Sequence, residues 1–345
     1  MNTKNNEEYK KRKNFLKSIL TEYYGDLLPP TSFIGQPPED QQEYAIELIL
    51  LNEKQNDINL ERKSINGIFY SVINYKNTKE VYAGGLTAEF DSYSTLLSSR
   101  NAFDLMEQIL TAENLTFGDV VRQWNYIEGI IDQQFNKEGI QQNYQIFNDV
   151  RSIYYSKANF DNGYPAATGI GMNAGGIILE FIAAKNTQKV DIVPIKNPGQ
   201  VDAFRYSGEV LVGKPIDEIS KKTSPKFERA KYTKINNIGQ IYISGTAAIR
   251  GQKSVSDQNV KEQTIITIEN INELISKANL SNYGIELNSH PLKPSYLRVY
   301  VREEKDVADV KEICNKSYPN VPAIYLLSDI CRDDLLVELE GIANF

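Results

Sequence analysis

The sequence predicts an α+β protein built from two domains in tandem, and three observations support this. The chain has 345 residues, which is long for one typical domain. Strand-like and helix-like segments alternate in both halves. The halves also end on similar apolar segments with an embedded glutamate, at residues 177–183 and 335–341. This self-similarity favours an internal duplication, although two unrelated α+β domains could also both end on an apolar strand.

An N-terminal extension, residues 1–38, is predicted to precede the two domains, because prolines follow its helical segment at residues 8–24. The first domain is predicted at residues 39–195 and the second at residues 196–345. Residues 197–232 are rich in Pro, Gly, Lys and Ser, and they are predicted to form a long connection or an inserted loop.

Apolar periodicity and β-branched runs predict the elements of each half in chain order. In the first half, the predicted helices are residues 95–115 and 142–155, and the predicted strands are residues 44–51, 67–75, 176–184 and part of 117–131. In the second half, the predicted helices are residues 260–278 and 307–318, and the predicted strands are residues 239–249, 295–302, 323–327 and 334–343.

The composition excludes several classes of protein. Lys plus Arg number 38 and Asp plus Glu number 45, and the resulting net charge of −7 argues against a dedicated nucleic-acid binder. No apolar stretch reaches the roughly 18 residues of a membrane-spanning helix, and the charged first 17 residues lack the apolar region of a secretory signal. We therefore expect a cytoplasmic protein without a nucleic-acid or membrane partner, as a monomer or a small homo-oligomer.

Histidine and cysteine are too scarce for most metal sites. The one histidine, His290, lies in a segment predicted to be a loop, residues 288–294, where a histidine is more often a surface residue than a base. The two cysteines, Cys314 and Cys331, provide neither a metal nor a disulfide framework. We therefore predict no metal site, and we assign proton transfer to Glu, Asp, Tyr, Lys or Cys side chains.

A glycine-rich segment at residues 169–176 invites comparison with a dinucleotide-binding fingerprint. That fingerprint must follow a strand and begin a helix, whereas the next segment here is predicted to be a strand. The glycines are therefore predicted to serve tight turns or close backbone approaches.

Two residue patterns suggest chemistry. Glu338 and Glu340 are two apart on a predicted strand, so both side chains lie on one face, either toward a cavity that raises the pKa of an acid or simply toward solvent. Arg298, Tyr300 and Arg302 share a face of another predicted strand and could form a carboxylate-binding wall, although most arginines are simply solvated.

The second half resembles the small YjgF/RidA proteins at residues 240–247 and 337–343. In that family the first glutamate of the closing motif, here Glu338, is an active-site residue. An arginine fifteen residues earlier holds a substrate carboxylate, and here that position is Ala323. The resemblance therefore implies a YjgF/RidA-like (chorismate-mutase-like) α+β fold, and the alanine disfavours imine deaminase activity.

A longer resemblance covers most of the chain, which is similar to the chorismatases in several ordered blocks. These blocks are residues 124–127, 144–151, 164–171, 197–206, 224–230 and 329–338. The resemblance implies two YjgF-like halves, with mixed sheets and helices packed on one face. It also implies removal of pyruvate from chorismate without a metal or organic cofactor.

The chorismatase resemblance implies roles for two residues near the C-terminus. Glu338 is the expected general acid that protonates the enolpyruvyl group. Cys331, seven residues earlier, marks the type that releases 3-hydroxybenzoate. Release of a dihydroxycyclohexadienoate or also of 4-hydroxybenzoate stays open, and Cys331 could instead be a small apolar core residue.

Substrate contacts are assigned by motif position and pocket chemistry. Those expected are Arg302, Arg229, Tyr206, Tyr300, Arg151, Tyr144 and Ala247. Arg151 and Tyr144 come from the first half and could be structural there, and Glu180 is interpreted as the vestigial repeat partner of Glu338. A non-catalytic small-molecule binder on the same fold is the alternative to an enzyme.

Overall fold

The computed structural model contains two six-stranded mixed sheets that face each other. It describes residues 1–52, 58–75, 78–87, 94–136, 139–186, 191–235, 238–287 and 291–345. Two helices pack on the outer face of each sheet, and the inner faces meet in a shared apolar layer. The predicted α+β class, with helices on one face of mixed sheets, is confirmed. None of the helices in the described ranges has the length and hydropathy needed to cross a membrane.

The described helices begin and end close to the residues that their sequence patterns indicate. They are α1 (Asn6–Tyr24), α2 (Thr95–Ala112), α3 (Asn143–Tyr155), α4 (Val260–Leu274), α5 (Lys277–Ser281) and α6 (Val307–Ser317). Helix α4 starts at a capping box, in which the Asn259 side chain accepts from the Glu262 backbone N–H and the Glu262 side chain accepts from that of Asn259. The helix predicted at residues 260–278 is divided in the structure, because α4 ends at Leu274 and α5 begins at Lys277.

The first half contains eight described strands. They are β1 (Asn59–Ile65), β2 (Ile68–Tyr75), β3 (Thr78–Leu86), β4 (Val120–Glu128), β5 (Gln133–Asn136), β6 (Gly139–Gln142), β7 (Ala166–Met172) and β8 (Ile177–Asn186). The first sheet has the order β1-β2-β3-β8-β4-β7, and β5 and β6 form a separate hairpin.

The second half repeats this arrangement. Its strands are β9 (Asp191–Ile195), β10 (Ala230–Ile235), β11 (Ile238–Ala247), β12 (Ile249–Arg250), β13 (Lys253–Ser254), β14 (Tyr296–Val301), β15 (Ala323–Leu327) and β16 (Val337–Asn344). The second sheet has the order β9-β10-β11-β16-β14-β15, which matches the first sheet position by position. Both sheets also have one parallel pair at the same edge, β4 with β7 and β14 with β15. The order of the strands therefore favours the duplication over two unrelated domains.

A β-bulge gives the register of the repeat. In the pairing of β3 with β8, the register shifts at residues 179–181 of β8. In the pairing of β11 with β16, it shifts at residues 339–341 of β16. Glu180 is the middle residue of the first segment, and Glu340 is the middle residue of the second. The two halves are therefore equivalent with Glu180 at the position of Glu340.

This register corrects the interpretation of Glu180 as the repeat partner of Glu338. The structural partner of Glu338 is Ile178, two residues before Glu180. Aligning the two apolar segments by composition alone placed them two residues out of register. The first half consequently has an aliphatic side chain where the second half has its candidate acid.

Some predicted elements differ from the structure. The predicted strand at residues 44–51 is wrong: this segment has no regular structure, and Ile46 and Leu50 are exposed. The described strands that the sequence reading did not identify are β1, β3, β5, β6, β7, β9, β10, β12 and β13. Strand β9 lies within the predicted first domain but pairs with β10 in the second sheet, and the domain boundaries stay a prediction. His290 lies outside the described residues.

The N-terminal segment connects the two sheets. Gly35 forms a β-bridge with Ala174 of the first half, and Pro38 forms one with Leu326 of the second half. Between them, the buried Gln36 side chain donates to the Gly171 carbonyl oxygen at 2.6 Å. The extension therefore packs against both halves.

Candidate active site

Glu338 lies in the second sheet at the contact between the two halves. Its neighbours across β11 and β14 are Ala247 and Tyr300, and only 4% of its surface is exposed. Gly245 sits in the β-bulge of β11, where a Cβ atom would overlap the Glu338 Oε1 and would come within 3.0 Å of the Thr168 methyl group. The glycine at this position therefore makes room for the carboxyl group.

The surroundings of Glu338 favour its neutral form. Burial is the largest cause and the nearby Glu340 carboxylate is the second, and together they raise the pKa of Glu338 to about 8. Arg122 and Arg229 act in the opposite direction but do not cancel this shift. Glu338 therefore carries a proton near neutral pH, which is the property that a general acid requires.

Cys331 lies beside Glu338 on the loop before β16. Burial, with a further contribution from Glu338, raises the pKa of its thiol to about 12. The thiol therefore stays protonated, so Cys331 is not poised as a thiolate nucleophile. The same loop is held to the first half by a hydrogen bond of 2.9 Å from the Gly171 backbone N–H to the Asp329 carbonyl oxygen.

The first half contributes helix α3 to this site. Burial raises the pKa of Tyr144 well above its usual value, and the nearby Cys331 and Glu338 add to the shift. The Tyr144 ring packs over Gly169, where a Cβ atom would lie 2.9 Å from the ring. Two turns of α3 later lies Arg151, whose side chain donates to Asn148 and whose buried Nε has no hydrogen-bond partner in the described chain.

Tyr206 and two arginines form the other side of the site. Arg229 donates to the Tyr206 hydroxyl oxygen and to the Val201 carbonyl oxygen, both at 2.6 Å. The Arg332 guanidinium lies 5.3 Å from the centre of the Tyr206 ring, and it also donates to the Gln252 carbonyl oxygen at 3.0 Å. The phenol is thus held between two cations.

Lys226 adds another positive charge near Arg151. Its ammonium group lies 5.9 Å from the centre of the Tyr164 ring. Burial, and to a smaller degree the Arg151 charge, lower the pKa of Lys226. The site therefore has cations from both halves, and Arg122 and Arg229 are the ones close enough to Glu338 to lower its pKa.

Arg302 and Arg298 bind protein groups other than Glu338. The Arg302 side chain donates to the carbonyl oxygens of Arg332 and Asp333, so it supports the loop that carries Cys331. Arg298 contacts Glu47 and Glu340, and it does not form a shared wall with Arg302. Its repeat equivalent on β4 is Trp124.

The glycines of the segment 169–176 follow their prediction. Gly169 and Gly171 are points of close approach, the second because a Cβ atom would lie 2.7 Å from the Asp329 carbonyl oxygen. The segment that follows them is strand β8 rather than a helix. The rejection of a dinucleotide fingerprint is confirmed.

Sequence reasoning missed Arg122, Arg332 and Lys226 as site residues. Arg332 and Lys226 lie inside blocks that carry the chorismatase resemblance, so those blocks contained a signal for them. Arg122 lies on β4 in the other half, and only the packing of the two sheets brings it near Glu338.

A surface cavity of about 570 Å³ lies at the corresponding place in the first half. Its lining includes Ile178 and Gly85, which are the repeat equivalents of Glu338 and Gly245, together with Thr31 from the N-terminal extension. The first half thus has a surface cavity at this position and no acid.

The fold and this site define a class of protein: a duplicated α+β chain with a protonated glutamate and several arginines between its halves. Comparison with known proteins identifies the family. A family model described as chorismatase FkbO/Hyg5-like, N-terminal, matches residues 64–183. The chain is 32% identical over 251 residues to a 3-hydroxybenzoate synthase from Streptomyces hygroscopicus, and the match covers 71% of this chain and 68% of that protein. This chain belongs to the chorismatase family.

Two further comparisons agree with this assignment. The chain is 32% identical over 230 residues to a chorismatase from Streptomyces rapamycinicus, covering 66% of this chain and 65% of that protein, just under two thirds of its length. A crystal structure of a chorismatase matches with a TM-score of 0.63 and 27% sequence identity, covering 82% of this chain and 78% of that one.

Proposed function

We propose that this protein converts chorismate into 3-hydroxybenzoate and pyruvate. The observation that carries the proposal is Glu338, a buried carboxyl group whose surroundings raise its pKa to about 8 and which lies among arginines and phenols in a chain of the chorismatase family. The name of the 3-hydroxybenzoate synthase relative and the thiol of Cys331 support this product.

The two carboxylates of chorismate have two sets of cations available. Arg229 and Arg332 flank Tyr206 on one side of Glu338, and Arg151 and Lys226 lie on the side of helix α3. Guanidinium groups bind carboxylates through paired hydrogen bonds, which would fix the orientation of the substrate. We assign one carboxylate to each set, while Arg302 supports the loop.

Glu338 then starts the reaction by proton transfer. Its proton goes to the methylene carbon of the enolpyruvyl group, forming a C–H bond and leaving positive charge at the carbon bonded to the ether oxygen. The ring C–O bond breaks, and pyruvate leaves with that oxygen as its carbonyl. The neighbouring ring hydroxyl oxygen bonds to the freed ring carbon and returns its proton to Glu338. The bond from this oxygen to its original ring carbon then opens, the ring carbon that now bears the oxygen loses its proton, and the oxygen takes up a proton, which gives 3-hydroxybenzoate with no water consumed.

The thiol of Cys331 has a steric role in this scheme. It is neutral and packs beside Glu338 and Tyr144, so it can fill space that a water molecule would otherwise occupy. Entry of water at the freed ring carbon would give a dihydroxycyclohexadienoate. The identity of the ring product therefore depends on how completely this space is filled.

Incubation of the purified protein with chorismate tests the proposal. We expect pyruvate and 3-hydroxybenzoate in equal amounts by liquid chromatography, without added metal or cofactor. A dihydroxy acid or 4-hydroxybenzoate as the main product would overturn the product assignment, and binding without pyruvate release would indicate a non-catalytic binder. We also propose a cytoplasmic location, which agrees with two free thiols.

A further inference from the structure

A buried charged cluster lies directly beside Glu338, on the side facing the first half. Its centre is the Glu340 carboxylate, two residues further along β16 and only 1% exposed. Five side chains donate hydrogen bonds to this carboxylate, from Arg122, Trp124, Thr168, Arg298 and Tyr300. Two of these donors are guanidinium groups, so two positive charges lie against this carboxylate.

Arg122 makes its hydrogen bonds within the cluster through one of its two terminal nitrogens. One of its terminal nitrogens donates to Glu340 and, at 2.8 Å, to the Thr168 hydroxyl oxygen. The other terminal nitrogen, Nη1, is buried and has no hydrogen-bond partner among the described residues. Arg122 is also near enough to Glu338 to lower the pKa of that carboxyl group.

Thr168 contacts both the charged cluster and the surroundings of Glu338. Its hydroxyl oxygen accepts a hydrogen bond of 3.0 Å from the Gly245 backbone N–H. Its methyl group and the Glu338 carboxyl group converge on the open side of Gly245. The contacts of Thr168 therefore affect both the position of the Glu338 carboxyl group and the arrangement of Arg122 and Glu340.

We propose that Glu340 and Arg122 are positioning residues that set the proton affinity of Glu338 in opposite directions, Glu340 by repelling the ionised form of Glu338 and Arg122 by attracting it. This inference rests on the proposed function, because it treats Glu338 as the acid. The charged and titratable groups that face Glu338 from the elements around it are Glu340, Arg122, Arg229, Tyr300, Tyr144 and Cys331. Of these, Glu340 and Arg122 form one ion pair with each other.

The repeat supports a distinction between the two glutamates of β16. Glu340 has a counterpart in the first half, Glu180, whereas Glu338 has Ile178 in its place. Both Glu180 and Glu340 are near Arg298; burial raises the pKa of Glu180, and Arg298 acts in the opposite direction without cancelling the shift. The duplicated glutamate thus belongs to the packing between the sheets, and only the second half carries the acid beside it.

The pH dependence of kcat/KM for pyruvate release, measured from pH 6 to 10, tests the inference. A general acid is active while it is protonated, so the wild-type rate should fall as the pH rises through about 8. In Glu340→Gln the repelling charge is gone, and the fall should move ~1 pH unit lower. In Arg122→Met the attracting charge is gone, and the fall should move ~1 pH unit higher. Arg122→Lys should restore the wild-type profile.

A merely structural role would lower the rate without moving the two profiles in opposite directions. Glu80→Gln, which neutralises another buried carboxyl group far along the first sheet, is the matched control and should leave the midpoint unchanged. If Arg122→Met does not fold, Arg122→Gln and Glu340→Gln still decide the question. An unchanged midpoint in Glu340→Gln, or shifts of the same sign in both variants, would overturn the inference. If only the inference is wrong, the wild-type protein still releases pyruvate and Glu338→Gln still loses this activity. If the proposed function is wrong, either the wild-type protein releases no pyruvate or Glu338→Gln releases it normally.

Discussion

The two halves of the chain use the same strand order but fill the bulge position differently. In the second half, the Glu338 carboxyl group occupies the space over Gly245. In the first half, the equivalent glycine is Gly85, and the Thr31 carbonyl oxygen of the N-terminal extension lies where its Cβ atom would meet it at 2.5 Å. The Gly85 backbone N–H also donates to the Ser32 hydroxyl oxygen at 2.7 Å.

This difference shows how one half of a duplicated chain can hold the acid while the other supports it. The first half lost, or never gained, a carboxyl group at Ile178, and its bulge is covered by the extension. It still supplies Tyr144, Arg151 and Arg122 to the site in the second half. The site therefore needs both halves, although only one carries the candidate acid.

The bulge glycine should give the largest effect among the supporting residues. Gly245→Ala places a methyl group against the Glu338 carboxyl group, which must then leave its position, so kcat should fall roughly 100-fold. Gly208→Ala is the control, because nothing lies within 4 Å of a Cβ atom there. Equal pyruvate release by the two variants would mean that the position of Glu338 does not matter for turnover.

The two arginines of the second half should separate a substrate contact from a loop contact. Arg229→Met removes a buried guanidinium beside Tyr206, so the KM for chorismate should rise ~30-fold, as expected when a charge-assisted hydrogen bond is lost. Arg302→Met removes contacts with two loop carbonyl oxygens and with the Asp329 carboxylate, all of them protein groups, and its KM should rise less. Steady-state kinetics of both variants decide this. A larger KM for Arg302→Met than for Arg229→Met would mean that Arg302 binds the substrate carboxylate.

Cys331 should affect the product rather than the rate. Cys331→Ala opens space beside Glu338, so part of the product should become a dihydroxycyclohexadienoate while pyruvate release continues. Liquid chromatography of the ring products measures the fraction of the dihydroxy acid. Cys314→Ala, which alters the buried thiol of helix α6, is the control. Unchanged 3-hydroxybenzoate from Cys331→Ala would show that this thiol only packs.

The dependence of stability on pH should differ slightly between wild type and Glu338→Gln. Glu338 has a pKa raised from 4.5 to about 8, so between these values the folded state holds a proton that the unfolded state has lost. Its contribution to the free energy of unfolding therefore falls as the pH rises, by at most about 1.4 kcal/mol per pH unit. Urea unfolding at pH 5.5 and 7.5 should show Glu338→Gln gaining on wild type at the higher pH. A constant difference would mean that Glu338 is ionised in the folded protein.

Much of this architecture could be predicted from local patterns, and the errors have physical causes. Periodicity located most of the helices, and contiguous motifs located Glu338, Cys331 and Tyr144. The strand predicted at residues 44–51 failed because an apolar run alone does not provide a pairing partner; Glu47 in this segment instead binds Arg298. The repeat register was wrong by two residues because apolar composition does not report where a bulge shifts the pairing.

The residues that sequence reasoning missed depend on packing between distant segments. Arg122 is one arginine on a strand of the first half, and its relation to Glu338 arises only when the two sheets face each other. Arg302 was predicted to contact substrate from its motif position and pocket chemistry, and to share a strand face with Arg298. The strand ends at Val301, and the Arg302 side chain follows the loop instead.

The central claim is that Glu338 is the acid and that the duplicated glutamate Glu180 is not. Pyruvate release from chorismate should be measured for Glu338→Gln and Glu180→Gln under the same conditions, with folding checked by circular dichroism. We expect the rate of Glu338→Gln to fall roughly 100-fold or more, since the amide cannot donate the proton that the carboxyl group supplies. Glu180→Gln should stay within about threefold of wild type, as a packing residue outside the site would. Near-normal pyruvate release by Glu338→Gln, or an equal loss in both variants, would contradict the account.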